Sequence, residues 1–150
     1  MAQILERTGV SSRPIAAPTE TSLDLGEKAA IALLAELGLS CEQVDALIFC
    51  TQTNDHILPS NSVLLHGRMG MAEDVMAFDI MHACSGFIYG LGIGRSLVQS
   101  GTARRVLLIT ADTYFRLLHP QDRATRPLFG DGAAATLISA FEPKLTVLDM

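Results

Sequence analysis

Phe78-Asp79-Ile80-Met81-His82-Ala83-Cys84-Ser85-Gly86-Phe87-Ile88-Tyr89-Gly90-Leu91-Gly92-Ile93-Gly94 is the stretch on which the fold turns. It opens inside a mostly apolar run of strand length, Val75 to Ile80, and from Ser85 to Ser100 the spacing predicts a helix stopped by Gly101. Gly86, Gly90, Gly92 and Gly94 each cost roughly 0.8–1 kcal/mol against Ala in a helix interior, so tertiary contacts must offset on the order of 3–4 kcal/mol. Gly86, Gly90 and Gly94 recur every fourth residue and form one stripe, where another backbone is expected to approach closely. Phe87, Ile88, Leu91 and Ile93 make the remaining surface apolar. A helix apolar nearly all round belongs in the middle of a thick structure, not on its skin.

Outward from that stretch the chain alternates strands and helices. Upstream, Thr21 and Ser22 are candidate N-caps for a helix with Leu23, Ala30, Leu33, Leu34 and Leu37 on its apolar side and Gly38 at its end. Ala46 to Cys50 is apolar on both faces, the mark of a central parallel strand. A second helix is expected from about Pro59-Ser60 to Gly70. Downstream, Val106 to Ala111 reads as a buried strand, Asp112 to Pro127 as irregular, Ala133 to Ser139 as a strand and Leu145 to Asp149 as the start of another. The first twenty residues read as an extended lead-in. The pattern is α/β, a sheet covered by helices.

Composition bounds the function. The chain has 150 residues, 49% hydrophobic, with a formal net charge of -5. That is enough for one domain with a core. The negative balance argues against a general nucleic-acid binder. No apolar run reaches the length of a membrane span, and Met1 to Arg7 lacks the pattern of a signal peptide. Three cysteines with no Cys-x-x-Cys pair suggest neither a disulfide framework nor a structural zinc site, and point to the reducing cytoplasm.

Cys84 stands between the strand and the glycine-rich helix. The unpaired N–H groups of a helix N-terminus stabilise a thiolate, and Ala83, Ser85 and Gly86 leave room for a substrate. A strand–nucleophile–helix corner is a recurrent way of exposing an attacking atom. Position alone fits a buried structural cysteine equally well.

Three separated motifs carry a resemblance. Ala83-Cys84-Ser85-Gly86-Phe87, Arg7-Thr8-Gly9-Val10 and Phe129-Gly130-Asp131-Gly132-Ala133 together resemble β-ketoacyl–acyl-carrier-protein synthase III of the thiolase superfamily. The resemblance implies a thiolase-like layered sandwich with a mixed sheet. Residues 1–150 would be its N-terminal half-domain, without the family's opening strand and without its C-terminal half. It implies that Cys84 takes an acyl group from acyl-coenzyme A and passes it to a carbanion formed from malonyl–acyl carrier protein. Acyl-coenzyme A is then a substrate, and no cofactor is permanently bound. Arg7 and Arg123 would contact coenzyme A, since guanidinium stacks on adenine and pairs with phosphate. Where the family usually has Trp, four residues before the first arginine, this chain has Gln3. The full-length enzyme would be a homodimer, with Leu58 at a position that crosses to the partner's acyl pocket.

The remaining candidates have plainer expectations. Asp131 is expected in an ordinary Asp-Gly turn, with Gly132 at positive φ. The family's catalytic His and Asn belong to the missing half, and none of His56, His66, His82 and His119 matches that motif. His82 is expected to be a local turn residue. A chain without those groups is expected to acylate at most, not to condense. A non-catalytic module that only dimerises or binds a partner, and a homologue that acylates another acceptor, are the competing readings.

Overall fold

The structure, a computed structural model, describes Glu6 and residues 8–141. The strand expected at Leu145–Asp149 lies outside the described residues, as do Gln3 and Arg7. Helix α1, Ser22–Leu37, begins at a reciprocal cap: the Asp24 amide donates to the Thr21 hydroxyl while the Asp24 carboxylate accepts from the Thr21 amide. It ends on Gly38 at φ 64°, a left-handed conformation that costs glycine little. Strand β1, Ala46–Cys50, is buried throughout.

Helix α2, Asn61–Arg68, takes its N-terminal partner from outside its own sequence. Ser60 makes no side-chain cap; instead Asp79, on strand β2 (Met76–Ile80), accepts from the Asn61 and Ser62 amides at 3.1 and 2.7 Å. A carboxylate there satisfies orphan donors and complements the helix dipole. The glycine-rich helix α3 spans Gly86–Gln99, strand β3 Arg105–Asp112 and strand β4 Gly132–Ser139. Between β3 and β4 the irregular stretch holds one short 3₁₀ turn, Tyr114–Leu117.

The strands form one mixed sheet in the order β2-β1-β3-β4. β1 is parallel to β2 and to β3, while β4 runs antiparallel to β3. Alternate strand residues feed two cores. Leu47, Phe49, Leu107 and Ile109 pack with Leu23, Ala30 and Leu34 of α1 and Leu65 of α2. Ala46, Ile48, Val106 and Leu108 face the other way, against Leu91, Leu97 and Val98 of α3. The layered α/β expectation and the central place of β1 both hold.

The glycine stripe is buried and faces the sheet, but the approach is by side chains, not by backbone. A Cβ at Gly90 would lie 2.6 Å from a Leu108 methyl, and one at Gly94 2.4 Å from the Ile138 terminal methyl. The outer side of α3 is open: Ile88 and Tyr89 are each 55% exposed. Among the described residues no helix is long and apolar enough to cross a membrane.

Candidate active site around Cys84

The carboxyl ends of the parallel strands converge on one cavity of about 430 Å³. That is where open α/β sheets bind ligands. β1 contributes Cys50 and, just beyond its end, Gln52; β3 contributes Thr110, Ala111 and Asp112; the turn after β2 contributes His82, Ala83 and Cys84. Phe87, Tyr114, Phe129, Gly130 and the first residues of β4 complete the wall.

Cys84 is exposed, in the turn that leads into α3. The turn is closed by the Gly86 amide donating to the Ala83 carbonyl at 2.8 Å. Ser85 supplies no side-chain cap, so the helix end beside Cys84 is not quenched by its own cap residue. Gly86 is required here: a Cβ on it would sit 2.2 Å from the Cys50 sulfur.

Cys50 is the second thiol on the cavity wall, and the two are chemically distinct. It is buried, and its Sγ–H donates to the His82 carbonyl at 3.6 Å. Burial, then the charges of Asp112 and Asp79, push its pKa above the ordinary thiol range. A thiol held protonated is a poor nucleophile. Cys84 is therefore the more accessible of the two sulfurs on this cavity.

His82 also lines the cavity. Its Nδ1 lies 3.3 Å from the Ser85 hydroxyl and its ring packs on Tyr89 at 4.7 Å between centroids. These contacts belong to the turn, as expected. The other histidines stand apart: His66 bonds the Ala72 carbonyl through Nε2, His119 accepts from the Gln121 amide, and His56 is exposed.

Arg123 is not brought to the cavity. It is exposed on a loop folded by Asp122, whose carboxylate accepts from the Ala124 and Thr125 amides at 2.9 Å each. Those bonds, Thr125's first, hold the Asp122 carboxyl below its usual range. The second arginine expected to contact coenzyme A, Arg7, lies outside the described residues. Leu58 and Ile57 project into solvent, 84% and 94% exposed.

The expectation for Asp131 needs correction. Gly132 begins β4 and is not among the positive-φ glycines. Asp131 is buried, and it bridges rather than turns: its carboxylate accepts from the Ala16 amide at 2.9 Å and the Phe115 amide at 2.8 Å. Its own amide donates to the Pro14 carbonyl. Gly130 is needed because a Cβ there would meet that carbonyl at 2.8 Å. Asp131 thus ties the chain near Ala16 and Phe115 to the start of β4.

Cys50, Gln52 and Asp112 were not singled out as site residues by the sequence. The available signal was their place at the carboxyl ends of two strands read as parallel.

Comparison with known proteins gives the site a context. The family model for 3-oxoacyl-[acyl-carrier-protein] synthase III matches residues 78–150. A β-ketoacyl-[acyl-carrier-protein] synthase III from Solibacter usitatus is 45% identical over 137 residues, 91% of this chain and 41% of that protein. A crystal structure of a 3-oxoacyl-(acyl-carrier-protein) synthase III superposes with a TM-score of 0.91 at 46% identity, covering 96% of this chain and 43% of that one. The priming β-ketosynthase of the R1128 polyketide pathway superposes at 0.85 with 34% identity, over 91% of this chain and 40% of its own. The chain thus spans about two fifths of the length of the proteins it matches.

Proposed function

We propose that this chain, a member of the 3-oxoacyl-[acyl-carrier-protein] synthase III family, carries the acyl-accepting nucleophile of a condensing acyltransferase, Cys84. The observation that supports this most is the exposed Cys84 at the entrance to α3, on a cavity whose other thiol is buried and held protonated. The Cys84 sulfur attacks the carbonyl carbon of an acyl-coenzyme A thioester, and the coenzyme A thiolate leaves. A malonyl thioester on acyl carrier protein then loses carbon dioxide. The resulting carbanion attacks the acyl carbonyl and expels the Cys84 thiolate. Splitting the transfer at a covalent intermediate replaces one hard step by two easier ones. The backbone N–H of Cys84 would form part of the oxyanion hole.

The substrates are acyl-coenzyme A and malonyl–acyl carrier protein, in the cytoplasm, with no resident cofactor. Arg123 and Arg7 would bind the nucleotide end of coenzyme A, away from the cavity itself. Residues 1–150 are read as the N-terminal half-domain of a homodimeric enzyme, with Leu58 presented to the partner subunit. Condensation needs a positioned thioester, a stabilised enolate and an oxyanion hole at once. The turn contacts of His82 do not suit it to stabilise the enolate, so this chain alone forms the thioester and stops there.

Intact-mass analysis after incubation with acetyl-coenzyme A, then with malonyl–acyl carrier protein, tests the reading. A thioester adduct on Cys84, absent in Cys84→Ala, and no ketoacyl product are expected. No adduct on Cys84 would remove it as the nucleophile. A ketoacyl product from this chain would return the catalytic burden to His82. The likeness to a priming β-ketosynthase favours one second reading, transfer of the acyl group to another acceptor. Product analysis with the full-length enzyme separates the two.

A further inference from the structure

The Cys84 cavity is walled largely by small and apolar groups: Ala83, Phe87, Ala111, Phe129, Ala133 and Ala134. His82, Thr110, Asp112 and Tyr114 add polar groups, and so does the exposed, flexible side chain of Gln52, whose backbone is held by several hydrogen bonds. A single oxygen of Asp112, Oδ1, accepts from the Gln52 amide at 2.8 Å, the Thr51 hydroxyl at 3.0 Å and the Thr53 hydroxyl at 2.9 Å. Thr113 adds a fourth tie, its amide donating to the Thr53 hydroxyl at 3.0 Å. Thr51 is fully buried, which anchors the arrangement in the sheet. Hydrogen bonds to a charged acceptor are stronger than neutral ones, and the shared oxygen locks three consecutive residues to the end of β3.

The side chain of Gln52 is left over by this arrangement. Its amide makes no hydrogen bond among the described residues, although its backbone is held in place on the cavity wall. A primary amide offers both donor and acceptor, and covering it with hydrocarbon leaves those groups unpaired. A bound group that carries its own oxygen pairs with the amide instead.

We infer that Gln52 is a specificity-determining residue of the Cys84 cavity. It favours bound chains that carry a hydroxyl or keto oxygen over hydrocarbon chains of equal length, with Asp112 as the positioning residue that holds it there. This deepens the acyl-transfer reading, naming an oxygenated acyl group as its substrate class.

The experiment uses the full 150-residue chain and reads the cavity first without enzymic acyl transfer. Symmetrical alkyl and hydroxyalkyl disulfides of equal length compete for Cys84 by thiol–disulfide exchange, each exchange releasing one thiol, at a fixed ratio of total thiol to disulfide and with peptide mapping by mass spectrometry. The hydroxyalkyl adduct is expected to prevail by about three- to tenfold, the range for one net hydrogen bond. Gln52→Leu is expected to abolish or reverse that ratio. Asp112→Ala should reduce it once the ratio is normalised to that variant's own rate of Cys84 alkylation by iodoacetamide. A ratio near one in the wild type, or an unchanged ratio in Gln52→Leu, overturns the inference. The same variants are then given butyryl- and 3-hydroxybutyryl-coenzyme A. A disulfide preference without acylation by either would sink the acyl-transfer reading and leave the cavity's preference standing. Acylation by both at equal rates would sink the inference and leave the acyl-transfer reading standing.

Discussion

The two faces of the sheet are covered in opposite ways. On one, α1 buries Leu23, Gly26, Ala30 and Leu34, and its outer side mixes charge with hydrocarbon, Lys28 beside Ile31. On the other, α3 buries glycines against the sheet and leaves Ile88, Tyr89 and Ile93 outside. The first rests on the sheet through leucine and alanine side chains along one stripe of an amphipathic helix. The second lies close to the sheet and has a further apolar side left uncovered among the described residues. Cys84 stands at the start of the second helix. Closeness to the sheet is what lets the turn before Gly86 reach the strand ends and share a cavity with Cys50, Gln52 and Asp112.

The largest effect that tests this contrast is at Gly90. Gly90→Leu should destabilise by about 3 kcal/mol, because the added side chain must displace Leu108 from a packed core. An unchanged melting temperature would mean that α3 does not sit tightly on the sheet. Gly67→Ala in α2 should have the opposite sign. A Cβ there meets nothing within 4 Å, so the substitution should stabilise by about 0.5–1 kcal/mol through helix propensity. Thermal melts of the two variants separate a glycine kept for packing from one that is merely tolerated.

The outer cap of α1 should respond less. Asp24 is held below the ordinary carboxylate range, first by its hydrogen bond from Arg68 and then by the Thr21 amide. A lowered folded-state pKa stabilises above the unfolded value and ceases to do so as pH falls through the folded one. Denaturant melts from neutral pH down through the carboxylate range should therefore show a loss that Asp24→Asn removes. At neutral pH that variant should cost about 0.5 kcal/mol, the scale of a solvent-exposed pair. The smallest change in stability is expected from Ile88→Lys on the outer side of α3, within about 0.5 kcal/mol. Its effect should appear in association: light scattering over a concentration series should show less self-association than in the wild type. Greater self-association would place the sticky surface elsewhere.

Local chemistry made most of the elements legible. Thr21 and Gly38 bound α1 as expected, the all-apolar run at Ala46–Cys50 is the central strand, and the glycine stripe is buried. The corner at Cys84 was legible because a strand end, small neighbours and a helix start fall within a few consecutive residues. What the sequence hid are bonds between distant segments. Asp112 ties β3 to residues about 60 positions earlier, Asp79 caps a helix that precedes it, and Asp131 reaches back 115 residues to Ala16. A carboxylate next to glycine reads as a turn whenever only its neighbours are considered, which is how Asp131 was misassigned. The place of Cys50 in the cavity was hidden for a related reason. Burial on both sides of β1 gave no sign that its last residue meets an opening.

The bridge at Asp131 has a kinetic consequence. Its bond to the Ala16 amide joins residues 115 positions apart, just before β4 pairs with β3. Contacts of such separation carry a high closure entropy and tend to form late. Asp131→Asn should therefore leave the refolding rate nearly as it is and accelerate unfolding, the behaviour of an interaction absent from the transition state. The Asp131 carboxylate would then act as a latch, setting how long the folded chain lasts with little bearing on how fast it is reached.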